Sequence, residues 1–391
     1  MSSWQPASRP SWARSEGALR YYDVLISDRQ WSPLSGWRTF VFGLCGLFLF
    51  PAGWPALGQT VGLDPAKLIN GPSRQAIDDG LAYLAGRQLE DGSFGTSGYR
   101  RNVAICSLAG MAYLASGSTP GRGPRGAAIN RCIDYLLENS NDRGLIAAPT
   151  GTERGPMYGH GFATLFLSET YGMALREDLR ERLSAAVGLI VQTQNNAGGW
   201  RYQPRPQDAD LSVTVCQVMA LRAARNAGFA VPKETIERAL DYVKACQNPD
   251  GGFRYMRSGG SSPAKATQAG SQFARSAAGV VAYTNGGIYE GPELVRGLAY
   301  LDDFRPDLVS ARPNVQPRQP YYFYGHYYAV QAMWHAGGDR WLAWYAAIRD
   351  QLLERQLDDG SWADPICPEY GTAMACIILQ VPNNYLPILQ R

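Results

Sequence analysis

The sequence predicts an all-α fold, an (α/α)6 toroid in which six helical hairpins close into a ring. Three features predict it: a Gln-to-aromatic motif recurring at a near-constant period, an amphipathic segment before each copy, and a segment apolar all round after it.

The motif reads Gln88-Leu-Glu-Asp-Gly-Ser-Phe94, Gln194-Asn-Asn-Ala-Gly-Gly-Trp200, Gln247-Asn-Pro-Asp-Gly-Gly-Phe253 and Gln356-Leu-Asp-Asp-Gly-Ser-Trp362. Weaker copies run from Asn139 to Leu145 and from Leu298 to Phe304. The closing positions 94, 145, 200, 253, 304 and 362 lie 51 to 58 residues apart. Gly92, Gly199, Gly252 and Gly360 are expected to take the left-handed geometry that ends a helix. The Gln amide is expected to satisfy backbone groups at a helix end, and the aromatic ring to pack on the neighbouring hairpin.

Each outer helix precedes its motif. In the segment from Lys233 to Cys246, Ile236, Leu240, Val243 and Cys246 make an apolar stripe opposite Lys233, Glu237, Asp241 and Lys244. Residues 74–88, 127–139, 179–194, 293–301 and 341–356 behave alike. The inner segments 103–114, 162–171, 213–221, 277–283, 327–334 and 372–379 have no polar face, so protein must surround them. An open solenoid would need a polar outer face on its last repeat. The segment 372–379 is as apolar as the others, which favours closure.

Residues 73–391 are therefore read as one toroid domain and 59–72 as a linker. Residues 1–58 read as a long n-region and a secretory signal, with Arg38, the apolar run Val41 to Phe50 and Ala56-Leu-Gly58 before a mature start near Gln59. That assigns the protein to the periplasm or cell envelope; an uncleaved anchor is the alternative. Cys106, Cys132, Cys216, Cys246, Cys367 and Cys376 form no CxxC pair and sit at apolar helical positions, as buried free thiols do. A formal net charge of +3 with acids and bases interspersed gives no reason to expect nucleic acid as a partner.

The repeats resemble the QW motif of the terpenoid cyclase and protein prenyltransferase superfamily, over residues 70 to 391. The resemblance implies the toroid and a small-molecule ligand in the ring. Asp208-Ala-Asp210 is similar to the acidic motif of class II terpene cyclases, which would make Asp210 the proton donor and Asp208 its neighbour. The fourth position is Leu211, so the motif is incomplete. The zinc ligands of prenyltransferases have no counterpart: Tyr324-Gly-His326 stands where Asp-x-Cys is expected, and Thr372 where His is. No metal and no cofactor is implied.

The pocket of a toroid opens where the inner helices begin. Candidate catalytic residues there are Asp210, His160 and His326, with Asp208, Tyr158, Tyr324 and Tyr370 as ligand-binding candidates. His160 and His326 share a Tyr-Gly-His context three repeats apart, which places them on opposite sides of a six-fold ring. With neighbouring helices about 8–10 Å apart, opposite axes lie about 16–20 Å apart. Two imidazoles facing one pocket is one reading; each tying its helix to a nearby backbone carbonyl is the other. Glu153, Asp208, Asp210, Asp364 and Glu369 are the carboxylates placed near the mouth.

Three functions follow. The first is a terpenoid-cyclase-like or prenyltransferase-like toroid binding a hydrophobic or polyprenyl ligand. The second is a non-enzymatic cell-envelope scaffold or binding module. The third is a polysaccharide-active enzyme. A deep apolar funnel favours the first, a plugged ring the second, and an open cleft with facing carboxylates the third.

Overall fold

Six outer helices alternate with six inner ones in the computed structural model, which describes residues 65–148, 155–174, 176–257, 269–311 and 321–390. The outer set is α1 (Gly71–Arg87), α3 (Gly126–Glu138), α5 (Glu177–Gln192), α7 (Lys233–Ala245), α9 (Pro292–Asp302) and α11 (Gly338–Arg355). The inner set is α2 (Val103–Ala115), α4 (Met157–Thr170), α6 (Leu211–Asn226), α8 (Phe273–Asn285), α10 (Tyr322–Ala336) and α12 (Pro368–Gln380). Each inner helix packs on the next, and α12 packs on both α2 and α1, so the ring closes. Every residue of α8 is buried, as a helix without a polar face requires. The chain divides into two units, Met1–Ala56 and Leu57–Arg391. The first, with the signal reading placed on it, lies outside the described residues, as does Glu153.

The glutamine motif is the staple between repeats. Each Gln amide nitrogen donates twice: to the carbonyl four residues on, and to a carbonyl near the start of the next outer helix. Gln88 reaches Gly92 and Ala128, both at 3.0 Å. Gln194 reaches Gly198 at 2.8 Å and Thr235 at 2.9 Å. Gln247 reaches Gly251 at 3.0 Å and Glu293 at 2.9 Å. Gln356 reaches Gly360 at 3.0 Å and Ala76 at 2.9 Å, which ties the last repeat to the first. The closing aromatics Phe94, Trp200, Phe253 and Trp362 are all buried.

Two details of the motif differ from the sequence reading. The left-handed glycines of the Gly-Gly copies are Gly198 and Gly251, not Gly199 and Gly252, because the position four after the Gln makes the turn in every copy. The copy read as Asn139 to Leu145 is displaced by one: Ser140 pairs with Ile146 as Gln247 pairs with Phe253, and Ile146 is the buried closing residue. Gly144, four after Ser140, has the matching left-handed φ.

The inner helices α4, α8, α10 and α12 begin four or five residues earlier than their apolar runs. In α4, α10 and α12 glycine near the start hid the first turn, and in α4 and α10 close approach requires it there. A Cβ on Gly161 would stand 2.6 Å from Cys216 Sγ, and one on Gly325 would stand 2.6 Å from the Phe273 ring. Beyond α12 the chain crosses the far end of the ring. Asn383 Nδ2 donates to the Ala115 carbonyl at 3.1 Å, the Ile388 amide donates to Glu169 Oε2 at 3.2 Å, and Trp334 Nε1 donates to the Leu389 carbonyl at 3.1 Å. Leu386, Ile388 and Leu389 are buried against these helix ends. The six cysteines of the toroid are buried and unpaired. No helix among the described residues is long and apolar enough to cross a membrane.

Candidate ligand site at the ring mouth

Position in the first helical turn decides which side chains reach the ring axis. Consecutive helical residues are rotated by about 100°, so Tyr158 and Phe162 share a face of α4 while His160 points away from it. Tyr324 and Tyr328 share a face of α10 in the same way, with His326 turned back.

The inward faces meet across the ring. The Tyr158 hydroxyl donates to the Tyr324 hydroxyl at 3.2 Å, with ring centroids 6.5 Å apart. One turn deeper, Phe162 meets Tyr327 edge-on at 6.3 Å. Tyr158 and Tyr324 are half-buried, whereas Phe162, Tyr327 and Tyr328 are buried beneath them. Tyr370 is buried too, with Asp364, Tyr324 and Tyr327 among its neighbours. Hydroxylated aromatic rings therefore occupy the axis at the mouth.

Neither histidine faces that axis, which corrects the expectation that both open onto one pocket with Asp210. His160 Nδ1 accepts from the Ile146 amide at 3.2 Å and Nε2 faces the Ala186 carbonyl at 3.2 Å, which assigns the proton to Nε2. Both nitrogens thus join α4 to the backbone of repeats outside the ring interior, and no bond joins His160 to Asp210. His326 lies in an aromatic box of Phe273, Tyr322 and the outer-helix Trp344, at 4.9, 4.5 and 6.1 Å between centroids. Burial pushes His160 down to about 4 and His326 to about 3, so both rings are neutral at physiological pH.

Asp210 does sit at the mouth. It is the N-cap of α6: Oδ1 accepts from the Val213 amide at 3.0 Å. The side chain is fully buried, and Oδ2 has no hydrogen-bond partner among the described residues. Arg201 Nε stands 4.0 Å away and also pairs with the half-exposed carboxylate of Asp208, so one guanidinium holds both acids of the Asp-Ala-Asp segment. Burial raises the Asp210 carboxyl to about 6, against the pull of Val213, Arg201 and Tyr255. The remaining carboxylates are placed otherwise. Glu369 is bonded to Arg87 Nε at 3.0 Å and Thr96 Oγ1 at 3.1 Å, locking α12 to the first repeat rather than facing the mouth. Asp364 accepts from the Ile366 amide at 2.8 Å, and burial raises its carboxyl.

Tyr202 and Tyr255 were missed in the sequence and belong to this cluster. Their hydroxyls bond to each other, and Tyr255 faces Asp210. Their backbone carbonyls accept from Met157 at 3.1 Å and Leu211 at 2.9 Å, the first residues of α4 and α6. A signal was available: Trp200-Arg-Tyr202 and Phe253-Arg-Tyr255 repeat the same aromatic-Arg-Tyr triplet after the motif.

The raised carboxyl of Asp210 carries a signed consequence. A folded-state value of about 6 against an ordinary 3.8 means that the folded protein prefers the protonated form. Stability is fullest below about pH 4 and is lost as pH rises through 6. Asp210→Asn keeps the N-cap and removes the buried charge. The variant is expected to be more stable than the parent by about 1–3 kcal/mol at pH 8, with the advantage fading toward pH 4. Denaturant unfolding at both pH values checks this; equal offsets would show that Asp210 is ionised without penalty.

No family model matches the chain, and no curated protein matches it in sequence. Solved structures do resemble it in fold. A GH76 α-mannanase from Bacteroides thetaiotaomicron superposes with a TM-score of 0.60 at 12% identity, covering 82% of this chain and 98% of that one. Cellobiose 2-epimerase from Bacillus thermoamylovorans gives 0.57 at 10% identity, covering 82% and 99%. The type II terpene cyclase MstE from Scytonema gives 0.55 at 14% identity, covering 82% and 99%. At such identities the likeness establishes the toroid alone.

Proposed function

We propose that this chain is a ligand-binding toroid whose site is the tyrosine-rich mouth of the ring, and that the ligand is a small polyhydroxylated molecule of the saccharide type. The observation that carries the reading is the meeting of Tyr158 and Tyr324 on the axis. A polyprenyl chain needs a continuous apolar channel, and these two hydroxyls stand across its entrance. A saccharide needs aromatic faces and convergent hydrogen-bonding groups. Tyr158, Tyr324, Tyr202, Tyr255, Arg201 and Asp208 supply both kinds. The sugar-acting enzymes among the structural neighbours support the same class.

The hydrophobic or polyprenyl reading has two observations in its favour, the aromatic layer of Phe162, Tyr327 and Tyr370 below the pair and the terpene cyclase among the structural neighbours. The apolar run from Val41 to Phe50 supports action outside the cytoplasm. Catalysis, if the site performs any, would draw on Asp210, whose proton is exchangeable near neutral pH.

Calorimetric titration of the purified protein with neutral manno- and cello-oligosaccharides, and with farnesol or geranylgeraniol in mild micelles, separates the readings. Saccharide binding with Kd below about 1 mM is expected. Tyr158→Ala should weaken it at least about tenfold, as loss of a stacking face does. Binding of the prenols alone would replace this reading with the polyprenyl one, and binding of neither would leave the scaffold.

A further inference from the structure

Two fully buried oxygens inside the mouth have no hydrogen-bond partner among the described residues: Asp210 Oδ2 and the Tyr328 hydroxyl. Tyr328 lies one turn below Tyr324, with ring centroids 4.8 Å apart. Its titratable neighbours are Tyr324 and Tyr327 on its own helix, Cys216 on α6 and Tyr370 on α12. Helices α6 and α10 are not ring neighbours, so a side chain of α10 near Cys216 points into the interior. The Tyr328 hydroxyl therefore stands on the interior side of α10, beneath the Tyr158–Tyr324 pair, and Asp210 Oδ2 at the rim.

We propose that Tyr158 and Tyr324 part for the ligand, that the site extends below them, and that the Tyr328 hydroxyl determines specificity by hydrogen bonding to a hydroxyl of the bound saccharide. This rests on the saccharide reading above. A buried polar atom without a partner costs free energy, so a ligand hydroxyl that supplies the partner is favoured at that position. Phenylalanine would fill the same volume without that cost. The neighbouring hydroxyls are already engaged, Tyr158 with Tyr324 and Tyr327 near Gln331. A prenyl chain leaves the Tyr328 hydroxyl as it is, whereas a polyol serves it; Asp210 Oδ2 already faces Arg201 Nε at 4.0 Å. Water fills such positions in an empty site and is displaced by a ligand that reproduces its bonds.

Tyr113 provides the internal control. Its hydroxyl is also buried without a partner among the described residues, but its neighbours are Cys132 and Arg125 of the outer layer and Cys376 of α12 rather than the rings on the axis. The experiment compares full-length wild type, Tyr328→Phe and Tyr113→Phe by thermal unfolding and by titration with the same oligosaccharides. Tyr328→Phe is expected to unfold at the same temperature as wild type or higher, and to bind about tenfold more weakly, the loss of one buried hydrogen bond. Tyr113→Phe should bind as wild type does. If Tyr328→Phe binds normally while Tyr158→Ala does not, the site ends at the mouth and the inference fails with the saccharide reading intact. If wild type binds no saccharide, the reading itself fails. A Tyr328→Phe variant clearly less stable than wild type would show the hydroxyl already bonded in the empty protein, and would overturn the inference whatever binds.

Discussion

Trp362→Ala is expected to lower the unfolding free energy by about 3–5 kcal/mol, the range of large aromatic truncations in a packed core. The indole is fully buried, and its Nε1 donates to the Leu352 carbonyl at 2.8 Å. Its backbone amide donates to Thr372 Oγ1 at 3.0 Å. The ring also lies on Gly80 of α1, where a Cβ would come within 2.8 Å of Cζ3. Trp362 thus sits at the seam where the last repeat meets the first, beside the bond from Gln356 to Ala76. Truncation leaves a cavity, an orphaned carbonyl and a loosened closure together. Trp362→Phe keeps most of the volume and should cost about 1–2 kcal/mol, chiefly for the lost indole bond. Equilibrium denaturation of both variants checks the ordering. An alanine variant within 1 kcal/mol of wild type would mean that the seam contributes little to closure.

The ring was legible because its determinants are local and repeated. A glutamine that must reach two carbonyls, one in its own turn and one in the next outer helix, imposes the same spacing on the four repeats that carry it. Periodicity then separates half-exposed α7 from fully buried α8 without any long-range knowledge. Direction within a first turn is a different matter. Tyr158 and His160 are two residues apart and so face opposite ways, and the local sequence does not say which one meets the axis. That choice is made by Tyr324 and Tyr327, which meet Tyr158 and Phe162 from across half the chain. The same ambiguity placed Glu369 at the mouth, whereas its partner Arg87 lies 282 residues away. Asp210 was found because its N-cap role fixes its position regardless of the ring. Gly198 and Gly251 were misplaced by one because two adjacent glycines offer equal freedom, and only the carbonyl of the next outer helix distinguishes them.

That distinction predicts the other large effect. Gly251 has φ +87°, and a Cβ there would stand 2.2 Å from the Arg296 carbonyl oxygen. Gly198 meets the Arg238 carbonyl in the same way at 2.1 Å. These neighbours are backbone atoms of the next outer helix, so they give way only if that helix moves off the turn. Moving it would also stretch the bond from Gln247 to the Glu293 carbonyl. Gly251→Ala therefore combines a left-handed strain of about 1–2 kcal/mol with overpacking of about 1–3 kcal/mol, for a total loss of about 2–5 kcal/mol. Gly188 is the counterexample within the same fold. It lies inside α5, and a Cβ there meets nothing within 4 Å. Gly188→Ala should stabilise by about 0.5–1 kcal/mol through helix propensity alone. Measured side by side by urea unfolding, the two Gly→Ala changes should have opposite signs. Two effects of the same sign would show that close approach of the next helix is not what selects glycine four residues after the Gln.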